Sequence, residues 1–219
     1  MPQVRFLTEY SRGAQPRNKQ VKTRKISVLA LLLICATQVR AEQSWRDGDI
    51  IFHTSRSAQS VAIQRATHSP YSHVGIVFMR AGQPYVFEAI ATVRYTPLAK
   101  WIARGADSRY VLKRLKRGLT NAQVARLHAS AQRFAGKPYD LYFEWSDARI
   151  YCSELIWKVY SQALGIELGE LQKLRDFDLK DPAVKAKMRE RYGSRVPLAE
   201  PVISPGAIYD SNLLQTVSD

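Results

Sequence analysis

The stretch Tyr151-Cys152-Ser153-Glu154-Leu155-Ile156-Trp157 places a cysteine at the first position of a helical pattern. Apolar residues recur downstream at helical spacing, namely Leu155, Ile156, Val159 and Tyr160. Gly165 follows as a helix stop, so the pattern predicts a helix over 152–164. The positive end of a helix dipole favours the thiolate form of a cysteine in the first turn, and the thiolate is the nucleophile. The stretch therefore predicts a reactive cysteine.

Cys152 is one of only two cysteines, and the other, Cys35, lies in an apolar N-terminal run. If that run is an export signal, the mature protein carries a single unpaired thiol. Oxidising compartments favour paired cysteines, so a lone thiol there indicates a chemical use. The alternative is a structural Cys152, packed in the core as a small hydrophobic residue.

Residues 1–41 have the organisation of a secretory signal. The uncharged apolar run 26–39 follows basic residues at 22, 24 and 25, and it leads into the small-x-small sequence Val39-Arg40-Ala41. We predict export to the periplasm with cleavage near Ala41. Because a bilayer span needs about 20 residues, an uncleaved membrane anchor is the less favoured alternative.

The segment before the apolar run is long for a signal peptide. Translation from a GTG codon at Val21 would give a compact leader, and residues 1–20 would then not belong to the protein. Peptides from residues 3–20 in the unprocessed protein would contradict that start.

Residues 42–219 are predicted to form a single domain, long enough to bury a sizeable core. The chain has a formal charge of +14, of which residues 1–41 contribute +7 from eight Lys/Arg and one Glu, so residues 42–219 carry the other +7. Half of the basic character therefore belongs to the leader, and no nucleic-acid partner is predicted. A mildly basic domain favours peripheral contact with anionic surfaces such as membrane or murein.

The pattern of residues 42–219 predicts an α+β domain with an antiparallel sheet. Strands are predicted at 50–52, 73–79, 85–90 and 110–115, the middle two forming a hairpin around Ala81-Gly82. Helices are predicted at 57–68, 97–104, 120–135, 152–164 and 182–192. The segment from residue 197 is predicted to be irregular.

The hairpin supplies two partners for Cys152. A cysteine nucleophile needs a base, usually histidine, and a polar group that orients the base. If the turn centres on Ala81-Gly82, then His73 faces Ile90 and Gly75 faces Glu88. His73 and Glu88 become diagonal neighbours on one face, with backbones about 7–8 Å apart. An acid inside the apolar strand around Glu88 also suits a charge that has a partner.

Each candidate has a simpler interpretation. Taken alone, His73 would be a structural histidine, and Glu88 would lie on the solvated face of a strand. The other histidines are predicted to be structural: His53, His68 and His128. His128 has no acidic partner within reach by spacing. Cys152, His73 and Glu88 could also be zinc ligands, but no CxxC or HExxH accompanies them, so no metal and no cofactor is predicted.

Two further motifs resemble a known family. Gly48-Asp49-Ile50-Ile51-Phe52, followed by Ser72-His73-Val74-Gly75-Ile76, is similar to the strand pair of NlpC-type papain-fold cysteine peptidases. The cysteine helix usually precedes this pair, whereas here it follows, as in the circularly permuted branch that includes the YiiX/YaeF-like group. The resemblance runs from about residue 45 to about residue 209 and includes Gly136-Lys137-Pro138-Tyr139-Asp140. It implies a circularly permuted papain-like (NlpC-type) fold, with the antiparallel sheet packed against the cysteine-bearing helix.

The resemblance implies a thiol-dependent hydrolase of the amidase or peptidase type. Cys152 would be the nucleophile, His73 the general base and Glu88 the orienting group, while Tyr139 would pack under the site. A murein stem-peptide amide is the family-typical substrate. The permuted branch is also similar to lipid-directed acyltransferases and thioesterases, which implies a lipid-like acyl substrate instead. A non-catalytic module that binds cell wall or lipid is the third interpretation.

Five aromatic residues bear on the lipid alternative: Tyr71, Trp101, Phe143, Trp145 and Trp157. They could line an acyl groove, but aromatic side chains dominate the packing of a domain of this size, so we predict that they belong to the core.

Overall fold

An antiparallel six-stranded sheet organises residues 45–218, the part of the chain that the computed structural model describes. Its strands are β1 (Asp49–His53), β2 (His73–Arg80), β3 (Gln83–Ala89), β4 (Val93–Pro97), β5 (Val111–Leu115) and β8 (Leu214–Ser218). They lie in the order β4-β3-β2-β1-β5-β8. β6 (Gln172–Lys173) and β7 (Pro201–Val202) form a separate two-stranded ribbon.

Six α-helices surround the sheet. They are α1 (Ala58–Thr67), α2 (Leu98–Arg104), α3 (Asn121–Gln132), α4 (Cys152–Leu164), α5 (Pro182–Tyr192) and α6 (Pro205–Tyr209). α4 packs against α3 and across β2 and β3, while α5 packs against α1. The cysteine-bearing helix therefore lies against the strands that carry His73 and Glu88, as the resemblance implies.

Both faces of the sheet are covered. Successive residues of a strand point to opposite faces, and β1 shows this: Ile50 and Phe52 join the large core around α3 and α4. Ile51 joins a smaller cluster that contains Trp101 of α2. Because both faces are buried, β1 is apolar at consecutive positions and its five residues are all buried.

The predicted hairpin register is confirmed. Arg80 pairs with Gln83, and the ladder continues to Ile76 opposite Phe87. Ala81 and Gly82 both have positive φ, 48° and 75°, as a two-residue hairpin turn of type I′ requires. This register places His73 and Glu88 on the same face of the sheet.

Gly75 allows the two strands to approach closely beside the site. A Cβ there would lie 2.3 Å from Cγ1 of Val86 and 3.1 Å from the carbonyl oxygen of Phe87. Any larger residue would push β2 away from β3, and with it His73 from Glu88.

The helix predictions are confirmed, with one changed boundary. α4 begins at Cys152 and ends at Leu164, followed by Gly165 at φ 64°. α3 ends at Gln132, three residues before the predicted end. The chain leaves the helix there because the backbone of 136–137 bonds to Val93 of β4, from Gly136 N–H to Val93 O and from Val93 N–H to Lys137 O.

The prediction of an irregular C-terminal segment was wrong. Residues 205–209 form α6, and residues 214–218 form β8, which pairs antiparallel with β5 at the edge of the sheet. β4 was also not predicted. β4 and β8 are both five-residue strands at the edges of the sheet. They form because they pair with β3 and β5, not because their own sequences have a strong apolar pattern.

The predictions for residues 1–41 lie outside the described residues: the signal peptide, cleavage near Ala41, the start at Val21 and the position of Cys35. Within residues 45–218, no helix has the length and apolar character needed to cross a membrane.

Candidate active site

Glu88 and His73 form a buried pair at the centre of the site. Nε2 of His73 lies 2.7 Å from Oε2 of Glu88, and the Glu88 side chain is fully buried. His73 begins β2 and Glu88 lies near the end of β3, so the two side chains bridge the diagonal that the hairpin register defines. A carboxylate on Nε2 fixes the plane of the imidazole and stabilises its protonated form.

Two further side chains hold the Glu88 carboxylate. The Thr96 hydroxyl donates to Oε1 at 2.5 Å, and Nη2 of Arg104 donates to both oxygens at 2.7 and 2.6 Å. Burial opposes ionisation, but bonds from His73 and Thr96 and the Arg104 charge outweigh it and lower the pKa of Glu88 to about 2. Glu88 is therefore ionised at every physiological pH.

The sequence analysis did not identify Thr96 or Arg104. Thr96 lies on β4, which was not predicted. Arg104 is the last residue of α2, a predicted helix, but nothing in its spacing indicates that α2 reaches Glu88. The one available signal was Glu88 itself, because a buried carboxylate needs hydrogen-bond donors from elsewhere in the fold.

Cys152 meets the other side of the His73 ring. It lies at the first position of α4 and is 3% exposed. Because Nε2 of His73 bonds to Glu88, Nδ1 is the nitrogen left for the hydrogen bond with Cys152. Burial disfavours the cation, but the hydrogen bonds with Cys152 and Glu88 outweigh it and raise the pKa of His73 to about 9. The structure thus aligns Cys152, His73 and Glu88 in one chain.

The first turn of α4 is fixed by contacts on both sides of Cys152. Glu154 accepts the backbone N–H of Tyr151 at 3.3 Å, and the Ser153 hydroxyl donates to the carbonyl of Ile203 at 2.8 Å. The Ile203 N–H in turn donates to the Tyr151 hydroxyl at 3.1 Å. These bonds hold the start of the helix in place. Because Cys152 is the first residue of α4, its backbone N–H has no carbonyl partner within the helix.

Glu154 places a second buried carboxyl in the first turn of α4, two residues after Cys152. Burial raises the pKa of Glu154 to about 7, against the effect of Lys158 at 2.8 Å. Lys158 also pairs with Asp147 at 2.7 Å. Lys158 therefore offsets negative charge beside the first turn of α4.

Tyr139 lies beside the site with its hydroxyl held in place. Its oxygen accepts a hydrogen bond from Nε2 of Gln59 at 2.9 Å, and Oε1 of Gln59 accepts one from Arg191 at 2.8 Å. Burial and the charge on a Cys152 thiolate raise the pKa of Tyr139 well above its usual range. Tyr139 therefore keeps its proton and can donate it in a hydrogen bond.

The remaining histidines have contacts that the sequence pattern did not indicate. His128 does have an acidic partner, since its Nε2 lies 2.8 Å from Oδ1 of Asp47, 81 residues away, which spacing along the helix could not reveal. His53 is next to the site, with its ring centroid 5.2 Å from that of His73. His68 is exposed and lies 3.5 Å from Asp178.

An apolar cleft opens at Cys152. It measures about 650 Å³ including its mouth, and the surface facing it is almost wholly apolar. Besides Cys152, its lining includes Ala62, Ile63, Phe143, Phe177, Val184 and Met188. Of the five aromatic residues considered for an acyl groove, only Phe143 lines it, while Trp145 packs against Trp157 and Trp101 stacks on His53.

A second cleft, more polar than the first, opens at His73. It measures about 1220 Å³ including its mouth, and its lining includes Ser55, Arg56, Ser57, Ser72 and Arg104. Gln59 and Tyr139 line both clefts. The thiol and the imidazole therefore lie where an apolar and a polar compartment meet.

Comparisons with known proteins agree with this architecture. A sequence profile described as "permuted papain-like amidase enzyme, YaeF/YiiX, C92 family" matches residues 44–218. The uncharacterized protein YiiX of Escherichia coli (strain K12) is 51% identical over 194 residues, which cover 89% of this chain and 96% of YiiX. The crystal structure of the metalloprotein YiiX from Escherichia coli O157:H7 is 54% identical, with a TM-score of 0.79 over 80% of this chain and 97% of that one. The chain belongs to the YaeF/YiiX family of permuted papain-like amidases.

Proposed function

We propose that this protein is a thiol-dependent hydrolase that cleaves an amide or ester by acyl transfer through Cys152. The observation that carries the proposal is the chain from the Cys152 thiol through His73 to the buried Glu88, which Thr96 and Arg104 hold in place. A nucleophile, its base and an orienting carboxylate in this order are the parts that covalent acyl transfer requires.

The mechanism begins with the thiol proton on His73. A Cys152 thiolate beside the His73 imidazolium attacks the carbonyl carbon, and the electrons move to the carbonyl oxygen. The free backbone N–H of Cys152 and the Tyr139 hydroxyl are placed to stabilise that oxyanion. His73 then protonates the leaving group, and it afterwards activates the water that hydrolyses the thioester.

The two clefts suggest how a substrate is oriented. An acyl chain in the apolar cleft would bring its carbonyl to Cys152, with the leaving group toward His73 in the polar cleft. The apolar lining favours a lipid-like acyl group, because charged stem-peptide groups would lose hydration there. A murein amide is the second candidate, supported by the predicted export signal.

The site residues do not fit a metal centre, although the crystallised YiiX is called a metalloprotein. Among residues 45–218, no group of three or more His, Cys, Asp or Glu side chains could hold a metal ion. Nε2 of His73 is already bonded to Glu88, so an ion held by these two residues would have to break that bond. The mechanism therefore assigns every proton transfer to side chains.

We also propose that the protein is exported to the periplasm and touches anionic surfaces there. Export is supported by the pattern of residues 1–41. Surface contact is supported by α5, whose Val184 and Met188 line the apolar cleft. Within residues 45–218, the side chains of Lys185, Arg189 and Arg195, on or just after this helix, have no hydrogen-bond or ion-pair partner. Such cations favour anionic headgroups or murein carboxylates.

Incubation with two substrate pools tests the proposed function. The protein is mixed separately with phospholipid extract and with muropeptides, in parallel with and without a chelator, and its intact mass is followed over time. We expect an acyl adduct on Cys152 and free fatty acid from the lipid pool, because the apolar cleft accepts the chain. Cys152→Ala serves as the matched control and should show neither.

Each other outcome has a distinct meaning. Turnover of muropeptides alone would move the assignment to the murein amide. A change in neither pool would favour the non-catalytic binding module. Activity that disappears with the chelator would contradict the metal-independent mechanism.

A further inference from the structure

His53 is a buried imidazole that the proposed mechanism does not use. It ends β1 and lies directly opposite His73, the first residue of β2. Only 2% of His53 is exposed, and its buried Nδ1 has no hydrogen-bond partner among residues 45–218. A buried polar atom without a partner carries an energetic cost, so the position of this ring calls for a reason.

The ring of His53 is fixed by stacking on Trp101. The two ring centroids are 3.9 Å apart with an angle of 19° between the planes. His73 lies on the same cluster, 5.2 Å from His53 and 6.0 Å from Trp101. Behind His53, a Cβ on Gly105 would lie 3.0 Å from Nδ1, so a larger residue there would crowd the ring.

The helix that supplies Trp101 also supplies Arg104. α2 therefore influences His73 by two routes. Trp101 stacks on His53, which lies beside the His73 ring. Arg104 bonds to Glu88, which bonds to Nε2 of His73. The ring orientation of His73 is therefore determined by groups from β1, β3 and α2 together.

His53 is neutral, which suits a position beside the protonated His73. Burial, together with the positive charges of His73 and Arg104, lowers the pKa of His53 to about 3, against the pull of Glu88. These three are the charged groups that act on it. A neutral ring can pack against the His73 imidazolium without repelling it.

We propose that His53 is a positioning residue for His73: its neutral ring, stacked on Trp101, holds the imidazole plane in which Nδ1 meets Cys152 and Nε2 meets Glu88. The inference depends on the proposed role of His73 as the base. A small rotation of that ring would weaken both hydrogen bonds at once.

The test measures the proton affinity of His73 alongside stability and turnover. In wild type, the NMR titration of His73 should have its midpoint near pH 9, as its raised pKa requires. In His53→Ala we expect the midpoint to fall by about one unit or more. Turnover should fall about 10-fold or more, because a base displaced by a fraction of an ångström is misaligned. His53→Phe, which restores a neutral ring, should recover most of the shift in the His73 midpoint and most of the turnover.

Ile51→Val is the matched control. Ile51 also lies on β1 and packs in the Trp101 cluster, but its side chain has no polar group that could bond to His73, Glu88 or Cys152. It should lower the melting temperature and leave the His73 midpoint unchanged. If His53→Ala does not fold, His53→Gln gives the same comparison, since it stays neutral but cannot stack.

The possible failures can be told apart. A folded His53→Ala or His53→Gln protein with the wild-type His73 midpoint and turnover overturns the positioning role. A shifted midpoint with no turnover by wild type on any substrate leaves the positioning role in place and counts against the proposed function. Normal turnover by His73→Ala would remove the basis of the proposed function and of the positioning role of His53.

Discussion

Cys152→Ala is expected to abolish hydrolysis while leaving the fold intact. The acyl-transfer mechanism has no route without the sulfur, so we expect turnover to fall on the order of 10⁴-fold or more. Cys152 is small and tightly packed at the start of α4, and alanine fits the same space. The melting temperature should therefore change little, and far-UV circular dichroism should not change.

His73→Ala is expected to reduce hydrolysis strongly, but less than Cys152→Ala does. Removing a general base costs about 10²–10⁴-fold in rate, so this variant should keep a trace of activity that Cys152→Ala lacks. His128→Ala is a matched control, because His128 also pairs with a carboxylate, Asp47, but away from Cys152. Equal losses in the two histidine variants would contradict the assignment of His73.

Glu88→Gln is expected to reduce both activity and stability. The amide matches the carboxylate in shape but removes the charge that His73 and Arg104 share, and it presents an N–H₂ group to at least one former donor. Breaking a buried pair from one side costs about 3–5 kcal/mol. Since Arg104 is 38% exposed and can turn to water, we expect a loss of about 2–4 kcal/mol in unfolding free energy.

The same carboxyl predicts a pH dependence of stability. The folded-state pKa of Glu88 is lowered from 4.5 to about 2. Its contribution is therefore present above about pH 4.5 and is lost as the pH falls toward 2. Chemical denaturation across this window should show a loss in wild type that Glu88→Gln lacks. Glu190→Gln, at an exposed pair with Lys187, is the matched control and should change stability little.

The sequence predicted the parts of the site that depend on local pattern. Ala81-Gly82 sets the hairpin register through turn chemistry, and this alone brings His73 and Glu88 to one face. The position of Cys152 at a helix start followed from the apolar spacing and Gly165. The order of the motifs, through the resemblance to the permuted papain-like family, indicated the permuted fold.

The remaining parts depend on contacts between distant segments. Thr96 and Arg104 reach Glu88 only because β4 pairs with β3 and α2 follows it, and no spacing along the chain reports this. The contact of His53 with Trp101, 48 positions away in sequence, is also invisible to local pattern, so the sequence predicts only a structural histidine there. The apolar cleft likewise needs α1, α4 and α5 to meet, which local periodicity does not specify.

The rate of Cys152 alkylation by iodoacetamide as a function of pH reports whether the sulfur is held ionised by His73. An ordinary thiol ionises near pH 8.5, so it reacts slowly at about pH 6. We expect folded wild-type protein to react rapidly at about pH 6, and His73→Ala to react far more slowly there, with unfolded protein as the reference for a free thiol. Slow alkylation of the folded protein, at a rate that His73→Ala leaves unchanged, would contradict the account.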